Sequence, residues 1–352
     1  MRDLPDYYKN SISVAKMYYY QGLTTEQIAE EMRISRPTIS RLLNFTRTKG
    51  LIEITVHDSD AYLNVLEQEI REKYGIANVH VVLVPETNGE EVWLQRVASF
   101  AASYLNSLLE DNQILGLAWG TTLSTIGRYL IPKVLKGVDI VQLNGSGNTT
   151  TINNTYASEI IMRFGDNYSA RTHLFPVPTF FDFEETKQLM WRERSIRRIL
   201  DMQQKADVLL FSLGAVDSGK PSHVYSDGYL EKKDIKELKK KKVIADLATV
   251  FFSEDGSYDG IALNKRSSGP SLSLYQKVPH AICVASGRHK VPALRSALAA
   301  RYMNDLIVDE PTARLVMRSE IESLQSRPHQ KGSRRGQTRR ADRHPPAGPR
   351  ID

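Results

Sequence analysis

The sequence holds a single cysteine, Cys283, inside an apolar run, so no internal disulfide can form and a reducing compartment is expected. Long hydrophobic runs are also missing. No stretch approaches the roughly 18 uncharged apolar residues that span a bilayer, and Met1 to Tyr8 is polar and acidic rather than signal-like. A soluble, cytoplasmic protein with no membrane partner is expected. H-E-x-x-H, C-x-x-C and Walker patterns do not occur, and His80, His173 and His223 lack metal-ligand spacing, so neither metal nor cofactor is expected.

What is present is ordinary globular composition, with 352 residues, 41% hydrophobic and 25% charged. That excludes whole-chain disorder and a collagen-like repeat and suggests two or three domains. The net charge of +6 resides at the end of the chain, because residues 327–352 carry eight basic side chains against Asp342 and Asp352, leaving 1–326 neutral. Rich in Arg, Pro and Gly, 326–352 reads as a disordered basic tail. Two readings of it stand, nonspecific phosphate neutralisation on nucleic acid or an inert extension.

Residues 6–50 read as three helices. The first runs from about Tyr7 to Tyr20, with Ile12, Ala15, Met17 and Tyr19 as apolar contacts and Gln21-Gly22 at its end. Thr24 and Gln27 have capping-box spacing and open a helix of about two turns that buries Ile28, Ala29 and Met32. Ser35 is the predicted N-cap of a third helix beginning Arg36-Pro37, where a first-turn proline sacrifices no hydrogen bond. Ile39, Leu42, Leu43 and Thr46 then face inward. Two helices joined by a tight turn through Arg33-Ile34, the second with a basic outer face, make a helix-turn-helix whose second helix enters the major groove. The candidate contacts to double-stranded operator DNA are Thr25, Ser35, Arg36, Pro37, Thr38, Ser40, Arg41 and Asn44. Arginine pairs bidentately with guanine, small hydroxyls reach phosphates or bases, and a helix N-terminus attracts a phosphate. The bland alternative is a packing hairpin.

Alternation over Leu51 to Val56 predicts a strand and hence a winged variant. A helix from about Asp60 to Tyr74 follows, with Leu63, Leu66, Ile70 and Tyr74 in one stripe, and reads as a linker that helps dimerise. From Val79 to Met317 β-branched runs alternate with helical stretches. Strands are predicted at Val79–Val84, Ile114–Ala118, Val138–Leu143, Val208–Leu213, His280–Ala285 and Asp305–Val308. Helices are predicted at Glu90–Leu109, Thr122–Ile131, Ile152–Phe164, Glu184–Met202, Val291–Tyr302 and Asp309–Leu324. The fold class is α/β, a doubly wound, mostly parallel sheet behind the helix-turn-helix domain. The domains divide as 1–57, 58–76, 77–325 and 326–352.

Ligands of such sheets bind at the carboxyl ends of strands. The turn Gly116 to Thr122 offers backbone N–H groups and two hydroxyls at a helix N-terminus, an anion cradle suited to phosphate. Ser286 to Lys290 repeats the layout and adds Arg288, His289 and Lys290. Asn144 to Asn148 supplies amides and hydroxyls suited to a sugar. Lys239 to Lys242 reads as a solvated helix end. Three such loops favour a phosphorylated sugar or polyol, although each alone is an ordinary strand-to-helix turn.

The chain resembles the SorC/DeoR-type sugar-binding bacterial transcriptional regulators from about Tyr7 to Met317. The resemblance rests on Ile34 to Leu43, Trp119-Gly120-Thr121-Thr122, Val141 to Gly145, Ser226-Asp227-Gly228-Tyr229, Gly287 to Lys290 and Asp309 to Arg314. It implies an N-terminal DNA-binding domain, an effector domain similar to sugar-phosphate isomerases and deaminases, and a homo-oligomer, a tetramer, whose operator affinity responds to a phosphorylated sugar. By that analogy Gly120, Thr121, Thr122, Gly287, Arg288, His289 and Lys290 hold the phosphate. Asn144, Gly145 and Asp246 meet the sugar hydroxyls, with Asp227 a weaker candidate. A deoxyribonucleoside-responsive member carries a Schiff-base lysine where this chain has Asn144, which argues against covalent capture by that route. The Arg-rich tail is foreign to the family. The expected function is therefore a non-enzymatic regulator, a repressor of a carbohydrate operon. The alternative is an isomerase- or deaminase-like enzyme with Asp246 as its base.

Overall fold

The computed structural model describes residues 4–52, 61–87, 89–147, 155–216, 223–226 and 228–318. Asp227, the end of the expected wing strand and the tail beyond 318 lie outside them.

Three helices come first, α1 (Leu4–Tyr19), α2 (Thr25–Met32) and α3 (Arg36–Thr48). Val14, Met17, Ile28, Ile39, Leu42 and Leu43 form their shared core. Thr24 and Gln27 make the full capping box, and α2 stops at Arg33, whose left-handed backbone (φ 54°) turns the chain into α3. The inward positions of α3 are those the periodicity predicts, Ile39, Leu42, Leu43 and Thr46. Three expectations change. Tyr19 is 37% exposed, and Val14 and Ser11 are buried in α1 instead, because the last turn of the helix carries Tyr18 and Tyr19 to solvent. Ser35 occupies the N-cap position of α3 without capping the backbone, its hydroxyl bonding Thr38 Oγ1 at 2.8 Å. Leu51 and Ile52 form a bend rather than a strand.

Helix α4 (Ala61–Tyr74) leads into β1 (Asn78–Val82) and α5 (Glu90–Leu108). Next come β2 (Ile114–Leu117), α6 (Thr121–Tyr129), β3 (Asp139–Gln142), α7 (Thr155–Tyr168), β4 (Arg171–His173), α8 (Glu184–Met190) and α9 (Arg194–Gln204). The chain continues with β5 (Val208–Phe211), β6 (Leu213–Ala215), α10 (His223–Ser226), α11 (Lys232–Lys240), β7 (Val243–Leu247) and β8 (Val250–Ser253). It closes with α12 (Ala262–Arg266), β9 (His280–Ala285), α13 (Val291–Ala299), β10 (Asp305–Asp309) and α14 (Glu310–Met317).

Seven strands form one parallel sheet in the order β1-β10-β9-β5-β2-β3-β4. Both faces are covered, which is why central strands such as β5 and β9 read as continuous apolar runs. In β9, Ala281, Cys283 and Ala285 enter one core while Ile282 and Val284 enter the other. From the neighbours β2 and β5 the chain moves outward in opposite directions, β2 to β3 and β5 to β9. The crevice at their carboxyl ends is the topological switch point where such folds bind ligands.

The predicted strand Val208–Leu213 is two. Backbone pairing with the main sheet ends at Phe211, and after Ser212 the chain joins a separate antiparallel sheet, β6-β7-β8. The predicted helix Glu184–Met202 is also two, parted where Trp191 packs against Phe175 and Phe181 at ring distances of 5.7 and 5.5 Å. Helix α4 differs in use. Leu63, Leu66 and Ile70 are buried in the core with Val79, Val81 and Val308, and Glu67 Oε1 accepts the Val81 N–H at 2.8 Å. The stripe expected to dimerise is thus filled by the chain's own sheet. Lys239 to Lys242 are exposed, as a solvated helix end should be.

Candidate functional site

A cavity of about 340 Å³ opens at the switch point, within the range of small-molecule sites. Its walls come from four strand ends. After β2 stand Ala118 to Leu123, after β3 Asn144, after β5 Ser212 to Ala215, and after β9 Ser286, His289 and Lys290. Asp246 and Thr249 arrive from the antiparallel sheet, and Glu90, Glu91 and Leu94 from α5.

Of the residues predicted from sequence, Gly120, Thr121, Thr122, Asn144, Asp246, His289 and Lys290 share this cavity. The N-terminal turn of α6 faces it, where backbone N–H groups that no N-cap side chain covers, together with the helix dipole, favour an anion. Lys290 Nζ bonds Ser212 Oγ at 2.8 Å and Thr122 Oγ1 at 3.4 Å, so cation and helix terminus converge. Burial draws the Lys290 ammonium's pKa down, with Cys283, Asp246 and Asp309 opposing that shift. Burial likewise pushes the Asp246 carboxyl up to about 6, against the pull of the Thr249 N–H, the Tyr225 hydroxyl and Lys290.

Two buried oxygens on the cavity wall, Asn144 Oδ1 and Ser286 Oγ, have no hydrogen-bond partner among the described residues. A buried polar atom left unpaired costs free energy that a bound polar ligand recovers.

Other predicted residues fall outside the lining. Gly145 donates its N–H to Ser268 Oγ (2.9 Å), and its carbonyl accepts from Trp119 Nε1 (3.1 Å) and Thr179 Oγ1 (2.9 Å). Its backbone groups fix the loop instead of facing the cavity. Gly287, at φ 102°, gives its N–H to Asp309 Oδ2 at 2.9 Å and so shapes the turn that presents His289 and Lys290. Arg288 is exposed, with its guanidinium 5.4 Å from the centre of the Trp93 ring.

Sequence reasoning passed over Ser212, Gly214, Thr249 and Glu90. Gly214 and Thr249 belong to the small antiparallel sheet and its hairpin turn, and Ser212 is the single residue between that sheet and β5. The β7–β8 turn, Ala248-Thr249, holds both residues at positive φ (44° and 71°) without the Gly, Asn or Asp that signals such a turn. Glu90 was visible only as the start of a helix.

On the helix-turn-helix unit, Arg36, Ser40, Arg41 and Asn44 are exposed along α3, with Pro37 exposed and Thr38 half-buried at its start. Arg36 Nη1 meets Glu26 Oε1 at 2.8 Å, which ties the start of α3 to α2. Thr25 Oγ1 donates to Glu26 Oε2 at 3.1 Å.

A helix-turn-helix ahead of a doubly wound domain with a ligand-sized cavity at its switch point is the architecture of a ligand-responsive DNA-binding regulator. Residues 61–318 match the Sugar-bind family, a sugar-binding domain, and residues 13–49 match region 4 of sigma-70 factors. The deoxyribonucleoside regulator of Bacillus subtilis is 34% identical over 307 residues, covering 87% of this chain and 96% of that protein. A crystallised domain of a possible sugar-binding transcriptional regulator from Arthrobacter aurescens TC1 superposes with a TM-score of 0.67 at 46% identity, covering 75% of this chain and 99% of that one. The full-length sorbitol operon regulator SorC of Klebsiella pneumoniae shares the fold, with a TM-score of 0.70 at 22% identity over 88% of this chain and 98% of its own. The chain belongs to the SorC/DeoR-type sugar-binding transcriptional regulators. These relatives are transcriptional regulators, not enzymes. Among the described residues no helix is long and apolar enough to cross a membrane.

Proposed function

We propose that this chain is a repressor of a carbohydrate operon and that a phosphorylated sugar in the switch-point cavity changes its operator affinity. The observation that carries the reading is the pair of unpartnered buried oxygens, Asn144 Oδ1 and Ser286 Oγ, on a wall shared with an anion-favouring helix terminus and Lys290. The phosphate takes the N–H groups of Gly120, Thr121 and Thr122 together with Lys290 and His289, and the sugar hydroxyls meet Asn144, Ser286 and Asp246. No metal or cofactor enters the reading. The names of the relatives place deoxyribonucleoside and sorbitol regulation among the activities of similar proteins.

DNA is read by α3, with Arg36, Ser40, Arg41 and Asn44 toward the bases and Thr25, Ser35, Pro37 and Thr38 at the backbone. Assembly as a tetramer places several such units on one operator. The coupling asked of the effector is a few kcal/mol between DNA-bound and released arrangements.

Fluorescence anisotropy of DNA from upstream of the gene, at fixed salt, tests this with and without a panel of phosphorylated sugars. Sequence-specific binding weakened by one sugar phosphate and not by its unphosphorylated form is the expected result. Specific binding indifferent to every phosphorylated sugar rejects the effector assignment, and salt-sensitive binding without sequence preference rejects the regulator assignment.

A further inference from the structure

Glu90 is the first residue of α5, yet its side chain belongs to the other end of the sequence. Its Oε1 accepts the Arg288 N–H at 2.9 Å and its Oε2 lies 3.2 Å from His289 Nδ1. These are donors of the turn after β9, where the proposed phosphate is to be held. The fit is close. A Cβ on Gly287 would fall 3.2 Å from Glu90 Oε2 and 2.7 Å from the His289 ring, so the turn is shaped around the carboxylate. Glu90 is only 23% exposed and lines the cavity beside Lys290.

We propose that Glu90 is a resident anion occupying part of the phosphate position, so that a phosphorylated effector binds by displacing it. A carboxylate offers two acceptor oxygens and one charge to these donors. A phosphate monoester brings three oxygens and a charge of about −1.5 to −2 at neutral pH, and so outbids it when it can also reach Lys290 and the start of α6. A neutral sugar has no charge with which to compete, so the displaced carboxylate selects for phosphorylated ligands. Once released, Glu90 remains favourably placed in the first turn of its own helix, where the dipole stabilises negative charge.

Displacement would be felt beyond the cavity. The start of α5 is fastened by Trp93 Nε1 donating to Pro85 O at 2.9 Å. The adjoining Glu86 meets Arg314 Nη1 at 3.2 Å, and Arg314 Nε bonds the Tyr62 hydroxyl on α4 at 3.0 Å. Residues 84–92 are therefore where release should be read.

The inference rests on the phosphate reading above, and the test separates the two. Inorganic phosphate is titrated calorimetrically into the full chain and into Glu90→Gln, Glu90→Ala and Glu91→Gln, with thermal melts to verify folding. Glu91→Gln removes an equal charge from the same cavity mouth. Both Glu90 variants are expected to bind phosphate about tenfold more tightly, a gain of about 1.4 kcal/mol, while Glu91→Gln, which relieves only longer-range repulsion, gains less than about threefold. In the parent, phosphate should speed amide exchange at 84–92. Unchanged affinity in folded Glu90→Gln, or an equal gain in Glu91→Gln, overturns the displacement. Absence of phosphate binding in every chain overturns the phosphate reading and this inference with it.

Discussion

A Cβ built on Gly214 would stand 2.0 Å from Asp246 Oδ1, because the two residues are direct partners across β6 and β7. The carboxylate lies against bare backbone, held there by the Tyr225 hydroxyl and the Thr249 N–H. Any side chain at 214 must push Asp246 out of that arrangement. Gly214→Ala is therefore expected to lower the melting temperature and weaken sugar-phosphate binding at least about tenfold, on the scale of a lost buried charged hydrogen bond. Calorimetric titration reads the second effect, and parental affinity in the variant would refute it.

Asp246 also predicts a pH dependence. Its folded pKa of about 6 lies above the ordinary 3.8, so between those values the folded chain binds more protons than the unfolded one. Stability from this group is present below about pH 4 and declines as pH rises to about 6. Asp246→Asn lacks the titration. The stability of the parent relative to this variant should fall by about 2 kcal/mol from pH 4.5 to 7.5 and be flat above pH 7. Paired denaturation curves across that range check it, and a difference that rises with pH would contradict it.

The Arg36–Glu26 pair is exposed on both sides, at 66% and 54%, and so contributes little to stability. Arg36→Ala should leave the melting temperature unchanged. If Arg36 and Arg41 reach guanine, each alanine variant weakens specific DNA binding by about ten- to hundredfold, as loss of a bidentate base contact does. Anisotropy with specific and scrambled duplexes distinguishes this from loss of a phosphate contact, which would weaken both equally.

Thr24 closes the capping box of α2 through the Gln27 N–H at 3.3 Å, while Gln27 Oε1 accepts the Thr24 N–H at 2.9 Å. Thr24→Ala should destabilise α2 by about 1 kcal/mol, seen as roughly fivefold faster amide exchange in that helix. Exchange confined to parental rates would show that the cap carries no weight.

Where structure follows from local rules, the sequence was enough. The buried face of α3 is set by the 3.6-residue period, and the bounds of β9, His280–Ala285, follow from an apolar run between polar flanks. The loops at Gly120, Asn144 and Lys290 could be picked out because strand-to-helix turns carry their own residue signature. The antiparallel sheet could not. Its strands are short, β6 being only Leu213–Ala215, and its hairpin turn uses Ala248-Thr249 in a conformation those residues rarely adopt. β4 is three residues of polar character, Arg171–His173, held by pairing with β3 and by the Arg171–Asp139 contact at 2.8 Å. No periodicity announces it.

Amino-acid order alone determined the helix-turn-helix, the alternation that makes a parallel sheet, and the polar character of three separate loops, since each depends on neighbours a few residues apart. Tertiary structure decided which of those loops share a cavity, that Gly145 and Gly287 shape walls instead of lining them, and that α4 buries its stripe against its own sheet. It also brought Glu90 to His289 across 199 positions of chain. Such contacts depend on how strands are ordered across the sheet, and a long-range meeting leaves no periodic trace in the sequence on either side of it.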